Sequence, residues 1–217
     1  EGMTHTFHDL YRTHLIREPW RNRPRPSLVN NWEATYFDFD TEKLLAIARE
    51  AKQRGIEMLV MDDGWFGDRN IDEGSLGDWE VNEKKLPGGL SYLAEQVRAL
   101  GMEFGIWFEP EMVSPDSKLY RARPDWAIQI PGREPVQSRA QYVLDLSRPE
   151  VVDYVYESVA RILRSAPISY VKWDMNRQMT DVGSACLGRE RQGELFHRYV
   201  LGVYELQERL TREFPDL

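Results

Sequence analysis

Ile168-Ser169-Tyr170-Val171-Lys172-Trp173-Asp174 is a short apolar run that ends on a carboxylate, and such runs recur. Met58-Leu59-Val60-Met61 ends in Asp62-Asp63, and Phe104-Gly105-Ile106-Trp107-Phe108 ends in Glu109. The runs are continuously apolar instead of cleanly alternating, which suits parallel strands covered by helices. A carboxylate is expensive to bury, so a fold that sets one at the same end of several strands is building a site there.

Helical segments lie between the runs. Thr41 to Arg54 carries Leu44, Leu45, Ile47, Ala48 and Ala51 on one face, with Asp40 or Thr41 as cap and Gly55 as stop. The strand Ile56 to Met61 follows. Pro87-Gly88-Gly89 opens a helix through Leu90, Leu93, Val97 and Leu100 that Gly101 ends, before a strand from Glu103 to Phe108. Tyr142 to Leu146 reads as a further strand of the same kind. Pro149 starts a helix to about Arg164, and Ile168 to Trp173 is the next strand. A helix from Glu194 to Leu210 closes the series, with Leu195, Tyr199, Val203 and Leu206 in register.

With a strand near Leu28 to Trp32, this gives roughly five βα units. A doubly wound nucleotide fold shows a glycine-rich turn after its first strand, where this chain has Asn30-Asn31-Trp32-Glu33, and no phosphate loop occurs. Chemistry spread over several strand ends is the habit of the (β/α)8 TIM barrel, which needs eight strands and about 250 residues. A sixth strand is therefore expected after Phe214-Pro215-Asp216-Leu217. An open part-barrel leaves sheet edges and apolar surface uncovered, so the chain reads as a piece of a larger protein. Residues 26–217 are expected to be part of a catalytic domain. Residues 1–25, without periodicity and with prolines at 19 and 24, read as a lead-in from something upstream.

The 217 residues carry a net charge of −8, which argues against a nucleic-acid surface. The basic stretch Arg17 to Arg25 reads as linker in preference to an anion site. Cys186, the one cysteine, excludes a disulfide framework and a cysteine metal site. It is compatible with a cytoplasmic home, as a buried thiol or as the wall of a pocket. No apolar run is long enough to span a membrane.

Asp174 and Lys172 are two apart and share a strand face. A cation beside a carboxylate favours its charged form, which a nucleophile must hold, although a structural ion pair remains the alternative. Trp173, Asn176 and Arg177 add aromatic and hydrogen-bonding groups. Asp62 and Asp63 repel each other unless something accepts their charge. Sugar hydroxyls can, a metal or a helix cap being the alternatives. Metal-ligand spacings are missing, and His5, His8, His14 and His197 fall in no ligand pattern. Trp107 is a candidate pocket wall or core residue, with Glu109 and Glu111 beside it. Arg139 precedes Tyr142, where it either holds a hydroxyl or a site carboxylate or simply lies on the surface. Trp32 and Trp65 complete an aromatic wall. Carboxylates, one lysine, one arginine and tryptophans, without cofactor groups, are the equipment of a carbohydrate site. Glycoside hydrolysis normally uses two carboxyl groups, of which Asp174 is the best nucleophile candidate.

Four segments, Asn30-Asn31-Trp32-Glu33, Met61-Asp62-Asp63-Gly64-Trp65-Phe66-Gly67, Gly105 to Val113 and Tyr170 to Arg177, closely resemble the bacterial α-galactosidases of glycoside hydrolase family 36, in order and spacing as well. The resemblance implies a retaining mechanism on a (β/α)8 barrel, with Asp174 as nucleophile. It implies Lys172 at galactose hydroxyls, Asp62 and Asp63 on the hydroxyls at C4 and C6, Trp107 and Arg139 in the pocket, and Trp32 near the sugar or its aglycone. Asn176 and Trp65 join the expected binding set. The substrates implied are terminal α-galactosides such as melibiose and raffinose, with no cofactor. Related members act on α-N-acetylgalactosamine or transfer galactose, and a non-catalytic galactose-binding module is the alternative of another class. The expected partners are the sugar and further copies in a homo-oligomer, with neither nucleic acid nor membrane. In that family a cysteine-serine-glycine-rich segment and then the acid/base aspartate follow the Phe-Pro-Asp-Leu stretch. Both are thus expected past Leu217, and Cys186 does not inherit that cysteine's role.

Overall fold

The computed structural model describes residues 2–18 and 20–217; Pro19, part of the expected linker, lies outside the described residues. Helix α1 (Gly2–Leu10) runs into a π-helical turn at Tyr11–Leu15, so the start of the chain is helical where irregular lead-in was expected. Neither segment buries a residue. Strand β1 (Leu28–Asn30) passes into the single helical turn α2 (Trp32–Thr35), which begins at the tryptophan that was expected to end the strand. Asp40 caps α3 (Thr41–Gln53) by accepting from the Lys43 N–H, and Gly55 ends it with a φ of 80°. Strand β2 (Met58–Met61), helix α4 (Gly89–Ala99) and strand β3 (Glu103–Phe108) follow. A connection holding β4 (Met112–Val113), α5 (Lys118–Ala122) and β5 (Tyr142–Val143) leads to α6 (Pro149–Ser165). Strand β6 (Tyr170–Trp173) and helix α7 (Leu195–Glu213) complete the order.

β1, β2, β3 and β6 form one parallel sheet in that spatial order. The strands stand side by side as the chain makes them, without the reversal that defines a doubly wound sheet. Right-handed crossovers that all step the same way lay their helices on one face. That face carries Leu59, Met61, Phe104, Ile106 and Phe108, which join Leu44 and Ala48 of α3, Leu93 and Val97 of α4 and Val155 and Val159 of α6 in one buried core. The parallel registers put Leu59 beside Phe104 and Ile106 beside Val171, so the alternate residues Met58, Val60, Gly105 and Tyr170 line the opposite, inner face.

The sheet holds four parallel strands, one fewer than the five units expected. Tyr142 to Leu146 does not join it: Tyr142–Val143 pairs antiparallel with Met112–Val113, and Leu144 bridges to Ala127. β6 instead pairs directly with β3, because Gly105 leaves room for Tyr170. A Cβ on Gly105 would stand 2.9 Å from the Tyr170 ring. The run is apolar because Val143, Leu144 and Leu146 are buried under the connection, and periodicity cannot tell that burial from a sheet strand.

The stretch Arg17 to Arg25 is more than a linker. Arg17 donates to the carbonyls of Thr211 (2.8 Å) and Leu217 (2.8 Å), and the Trp20 indole donates to Leu217 O (3.1 Å). This strap ties the first residues to the end of α7. It borders an open cleft of about 660 Å³ whose lining includes Leu28, Met58 and Tyr170 of the inner face.

α7 meets the connection at Gly202, where an added Cβ would come 2.1 Å from the backbone carbonyl oxygen of Leu146. Helix propensity favours alanine there by about 1 kcal/mol. Overpacking against an unyielding backbone costs about 1–3 kcal/mol or more. Gly202→Ala is therefore expected to destabilise the protein, read as a lower midpoint in urea denaturation; an unchanged or raised midpoint contradicts the close approach.

Candidate active site

The carboxyl ends of the four parallel strands converge on the inner face. Met61 pairs with Ile106 and Trp107 with Lys172, so Asp62, Trp107 and Lys172 form one layer across three strands. Lys172 Nζ donates to Asp62 Oδ2 at 2.8 Å, in a pair buried on the carboxylate side (4% exposed) and half open on the lysine side (37%). Asn30, at the end of β1, donates from Nδ2 to the same oxygen, and the Asp62 N–H is taken by Asn31 Oδ1 at 2.8 Å. The expected pairing of Lys172 with Asp174 is thus not formed. Lys172 instead reaches past β3, on the inner face of the sheet, to the carboxylate that follows β2.

Asp174 is held by other donors. Trp107 Nε1 donates to its Oδ2 at 2.9 Å and Asn176 Nδ2 donates to the same oxygen at 2.8 Å. Its N–H continues the ladder to Phe108 O. The side chain is half-buried, and Oδ1 accepts from none of the described residues. Asp62 repeats the arrangement: one oxygen is anchored twice and the other left open.

Asp63 differs. Arg69 Nε donates to Oδ1 (3.0 Å) and Oδ2 (3.2 Å), and Nη2 donates to Oδ2 (2.8 Å), in a pair with both partners nearly sealed from solvent. Burial pushes the Asp63 carboxyl above its ordinary range, against the hydrogen bonds and charge of Arg69. Arg139 does not reach the layer of Asp62, Trp107 and Lys172. It is half exposed, with a left-handed φ of 52°, and Nη2 lies 3.7 Å from Asp72 Oδ1. Arg69 Nη2 is also 3.7 Å from that oxygen, so Arg139 stands at the outer end of a chain of charges that leads through Asp72 and Arg69 to Asp63.

Two buried glutamates support the strand end of β6. Glu109 Oε1 accepts from the Asn176 N–H (2.7 Å) and from Gln141 Nε2 (3.0 Å), and burial pushes its carboxyl up. Glu111 accepts from Trp173 Nε1 at 2.7 Å and from the Tyr199 hydroxyl of α7. This turns Trp173 to the helical face and leaves Lys172 and Asp174 on the inner one. Burial and the neighbouring Glu111 charge push the Tyr199 phenol far up. Arg177 donates to the carbonyls of Val136 and Gln141 and staples the loop beyond β6.

Trp32 is half-buried, edge-on to Tyr36 and Phe37. Trp65 is no pocket wall. It is fully buried against Phe66, Trp79 and Phe108, and its indole donates to Trp107 O at 2.9 Å, so it supports the backbone of a site residue from within the core. Cys186 is exposed, neither buried nor in a pocket, beside Ser184. All four histidines are exposed, and no group of acidic, histidine or cysteine side chains able to hold a metal occurs among the described residues. No helix among them is long and apolar enough to cross a membrane. Arg69 and Gln141 escaped the sequence reading, and Asn30 and Tyr199 were read there without a role in the site. Only Arg69 had a signal: two adjacent carboxylates require a cation, and Arg69 is the first one after them.

Parallel strands wound in one direction, with carboxylates, a lysine and an indole at their carboxyl ends, define the chain as an α/β protein of the glycoside-hydrolase barrel type. The family model described as Melibiase matches residues 1–217, and the chain belongs to that family. It is 56% identical to α-galactosidase AgaA of Geobacillus stearothermophilus over 216 residues, covering 100% of this chain and 30% of that protein. It is 52% identical to α-galactosidase 1 of Pediococcus pentosaceus, again covering 100% and 30%. The crystal structure of the glycoside hydrolase family 36 enzyme AgaA superposes with a TM-score of 0.97, over 100% of this chain and 30% of that one. A variant of that enzyme in complex with raffinose gives the same TM-score, identity and coverage. The chain thus spans about 30% of the length of these relatives and matches part of their (β/α)8 barrel.

A carboxyl raised by burial, as Glu109 is, favours the folded state while protonated and loses that contribution as pH rises through its folded-state pKa. Glu109→Gln keeps an acceptor for Asn176 without the charge. Its thermal midpoint relative to the unchanged protein is expected to climb as pH rises from the ordinary carboxylate range toward neutrality. A difference that is flat or falls with pH contradicts the assigned burial.

Proposed function

We propose that the chain carries the nucleophile and the galactose-binding face of a retaining glycoside hydrolase that releases terminal α-linked galactose from substrates such as melibiose and raffinose. The double anchoring of Asp174 Oδ2, with Oδ1 left open, carries the reading. A retaining nucleophile needs one oxygen held and the other free to attack the anomeric carbon, and Trp107 and Asn176 supply the hold. The open Oδ1 of Asp62 accepts a sugar hydroxyl beside Lys172, Asp63 accepts a second, Trp32 stands near the sugar or its aglycone, and Arg139 bears on the pocket from the outer end of the Asp72–Arg69–Asp63 chain. No step calls for a cofactor. The raffinose complex of the Geobacillus stearothermophilus variant supports the substrate class.

The leaving oxygen needs a proton donor, and the other site carboxylates are committed: Asp62 to Lys172, Asp63 to Arg69, Glu109 to Asn176 and Gln141, Glu111 to Trp173 and Tyr199. We assign the general acid to a part of the enzyme outside these 217 residues. Residues 26–217 then belong to the catalytic barrel, and residues 1–25 are its lead-in from an upstream β-domain. An exposed, unpaired Cys186 supports a reducing, cytoplasmic setting. The exposed apolar side chains Met3, Phe7, Leu10 and Tyr11 support self-association as a homo-oligomer.

In the full-length enzyme, Asp174→Asn is expected to lower kcat for an α-galactoside by at least roughly 10⁴-fold, the scale on which loss of one member of a catalytic set acts. The first product of the unchanged enzyme is expected to be α-galactose, followed by proton NMR. β-Galactose as first product excludes retention. Without the general acid, the 217-residue chain alone is expected to turn over at least about 10²-fold more slowly than the full-length enzyme. Rapid turnover by this chain that Asp174→Asn abolishes contradicts the assignment of the acid.

A further inference from the structure

Arg69 spends its donors on one carboxylate and one loop. Its Nε and Nη2 fork onto both oxygens of Asp63, and its Nη1 donates to the carbonyls of Asp72 (2.5 Å) and Gly74 (2.8 Å). The side chain is 2% exposed, so the guanidinium is fixed by the loop it closes. A planar fork on a carboxylate fixes the plane of that carboxylate, which a lysine ammonium cannot do. Oδ2 takes two of these bonds and Oδ1 takes one, so Oδ1 keeps a lone-pair direction for a further donor.

We propose that Arg69 is a positioning residue for sugar recognition: it sets the orientation of the Asp63 carboxylate so that Oδ1 meets a galactose hydroxyl as a fixed acceptor. The inference rests on the reading of Asp63 as a hydroxyl acceptor in a galactose site.

The charged surroundings make the role measurable. Asp63 faces Arg69 and Asp72 from its own loop, Asp62 from β2 with its partner Lys172 from β6, and Lys85 from the segment before α4. Lys85 donates to Gly64 O at 3.0 Å, directly after the carboxylate. Burial and the two neighbouring aspartates oppose the ionised form of Asp63, and Arg69 is the chief influence in its favour. The ionised form is the stronger acceptor, because a proton on the carboxyl removes its charge and takes up one of its acceptor sites. Affinity for galactose therefore falls as pH drops through the Asp63 pKa, and loss of the arginine charge moves this fall to higher pH.

The test is calorimetric binding of galactose, 4-deoxygalactose and 6-deoxygalactose to the intact full-length protein, across pH, for the unchanged protein and for Arg69→Lys, Arg69→Gln and Asp63→Asn. Asp63→Asn identifies the analogue that lacks the hydroxyl Asp63 accepts, as the one whose binding the substitution leaves unchanged. Arg69→Lys is expected to weaken galactose about tenfold, as loss of a charged, oriented hydrogen bond would, and that analogue less than about threefold. Arg69→Gln is expected to shift the pH at which galactose binding is lost upward, a shift absent in the double variant Asp63→Asn with Arg69→Gln. If Arg69→Lys and Arg69→Gln weaken galactose and both analogues by one common factor, with an unmoved pH profile, Arg69 is only structural and the proposal fails. If the unchanged protein binds galactose and both analogues equally, the proposal falls together with the galactose reading. Should Arg69→Gln not fold, Arg69→Lys, which keeps the buried charge, still decides between these outcomes.

Discussion

The structure depends on the cost of placing carboxylates at the ends of buried strands. An unpaired charge there would be expelled or neutralised, so each one must meet donors, and several are supplied by a different element. Asp62 on β2 meets Lys172 on β6 and Asn30 on β1. Asp174 beyond β6 meets Trp107 on β3. These bonds cross the sheet, so the strands are tied at their carboxyl ends by the groups that form the site. Strand register and site geometry are then one constraint: a slip of one residue in β6 would send Lys172 and Asp174 to the helical face and Trp173 to the inner one.

The number of donors each carboxylate receives sorts the acids by capacity. Asp62 and Asp174 have one oxygen doubly held and one open. Glu109 and Glu111 are buried and occupied, and act by fixing Asn176 and Trp173. Asp63 is intermediate, gripped on both oxygens by one arginine yet with capacity left on Oδ1. In the proposed reading the same residue type thus serves as attacker, hydroxyl acceptor and brace, sorted by its donors and not by its position in the motif.

Much of this was legible in the sequence. The strand ends, the helix capped by Asp40, the helix begun by Pro149 and the sheet strand Glu103–Phe108 followed from apolar runs and caps, which are local properties. The residues gathered at the strand ends were also visible, since parallel strands of one winding bring equivalent ends together. What failed was non-local. Tyr142 to Leu146 is as apolar as a sheet strand, but its burial is under a connection, and only Gly105 beside Tyr170 shows that β3 and β6 close up without it. Trp65 sits between Asp63 and Phe66 in a site-like motif, yet packing sends its ring into the core. The partner of Lys172 depends on strand order, and that of Asp63 on the fold of a loop, neither of which spacing along the chain contains.

Arg139 shows the same limit in another form. Its position before β5 placed it near the site, but a half-exposed side chain beside Asp72 acts on the carboxylates only through Arg69. The most direct test of the central claim, that the open oxygen of Asp174 is the attacking atom, is peptide mass spectrometry of the full-length enzyme after reaction with a 2-deoxy-2-fluoro-α-galactosyl inactivator. A single fluorogalactosyl adduct is expected on the peptide carrying Asp174, absent in Asp174→Asn. An adduct on another carboxylate, or galactose binding with no adduct at all, would contradict it.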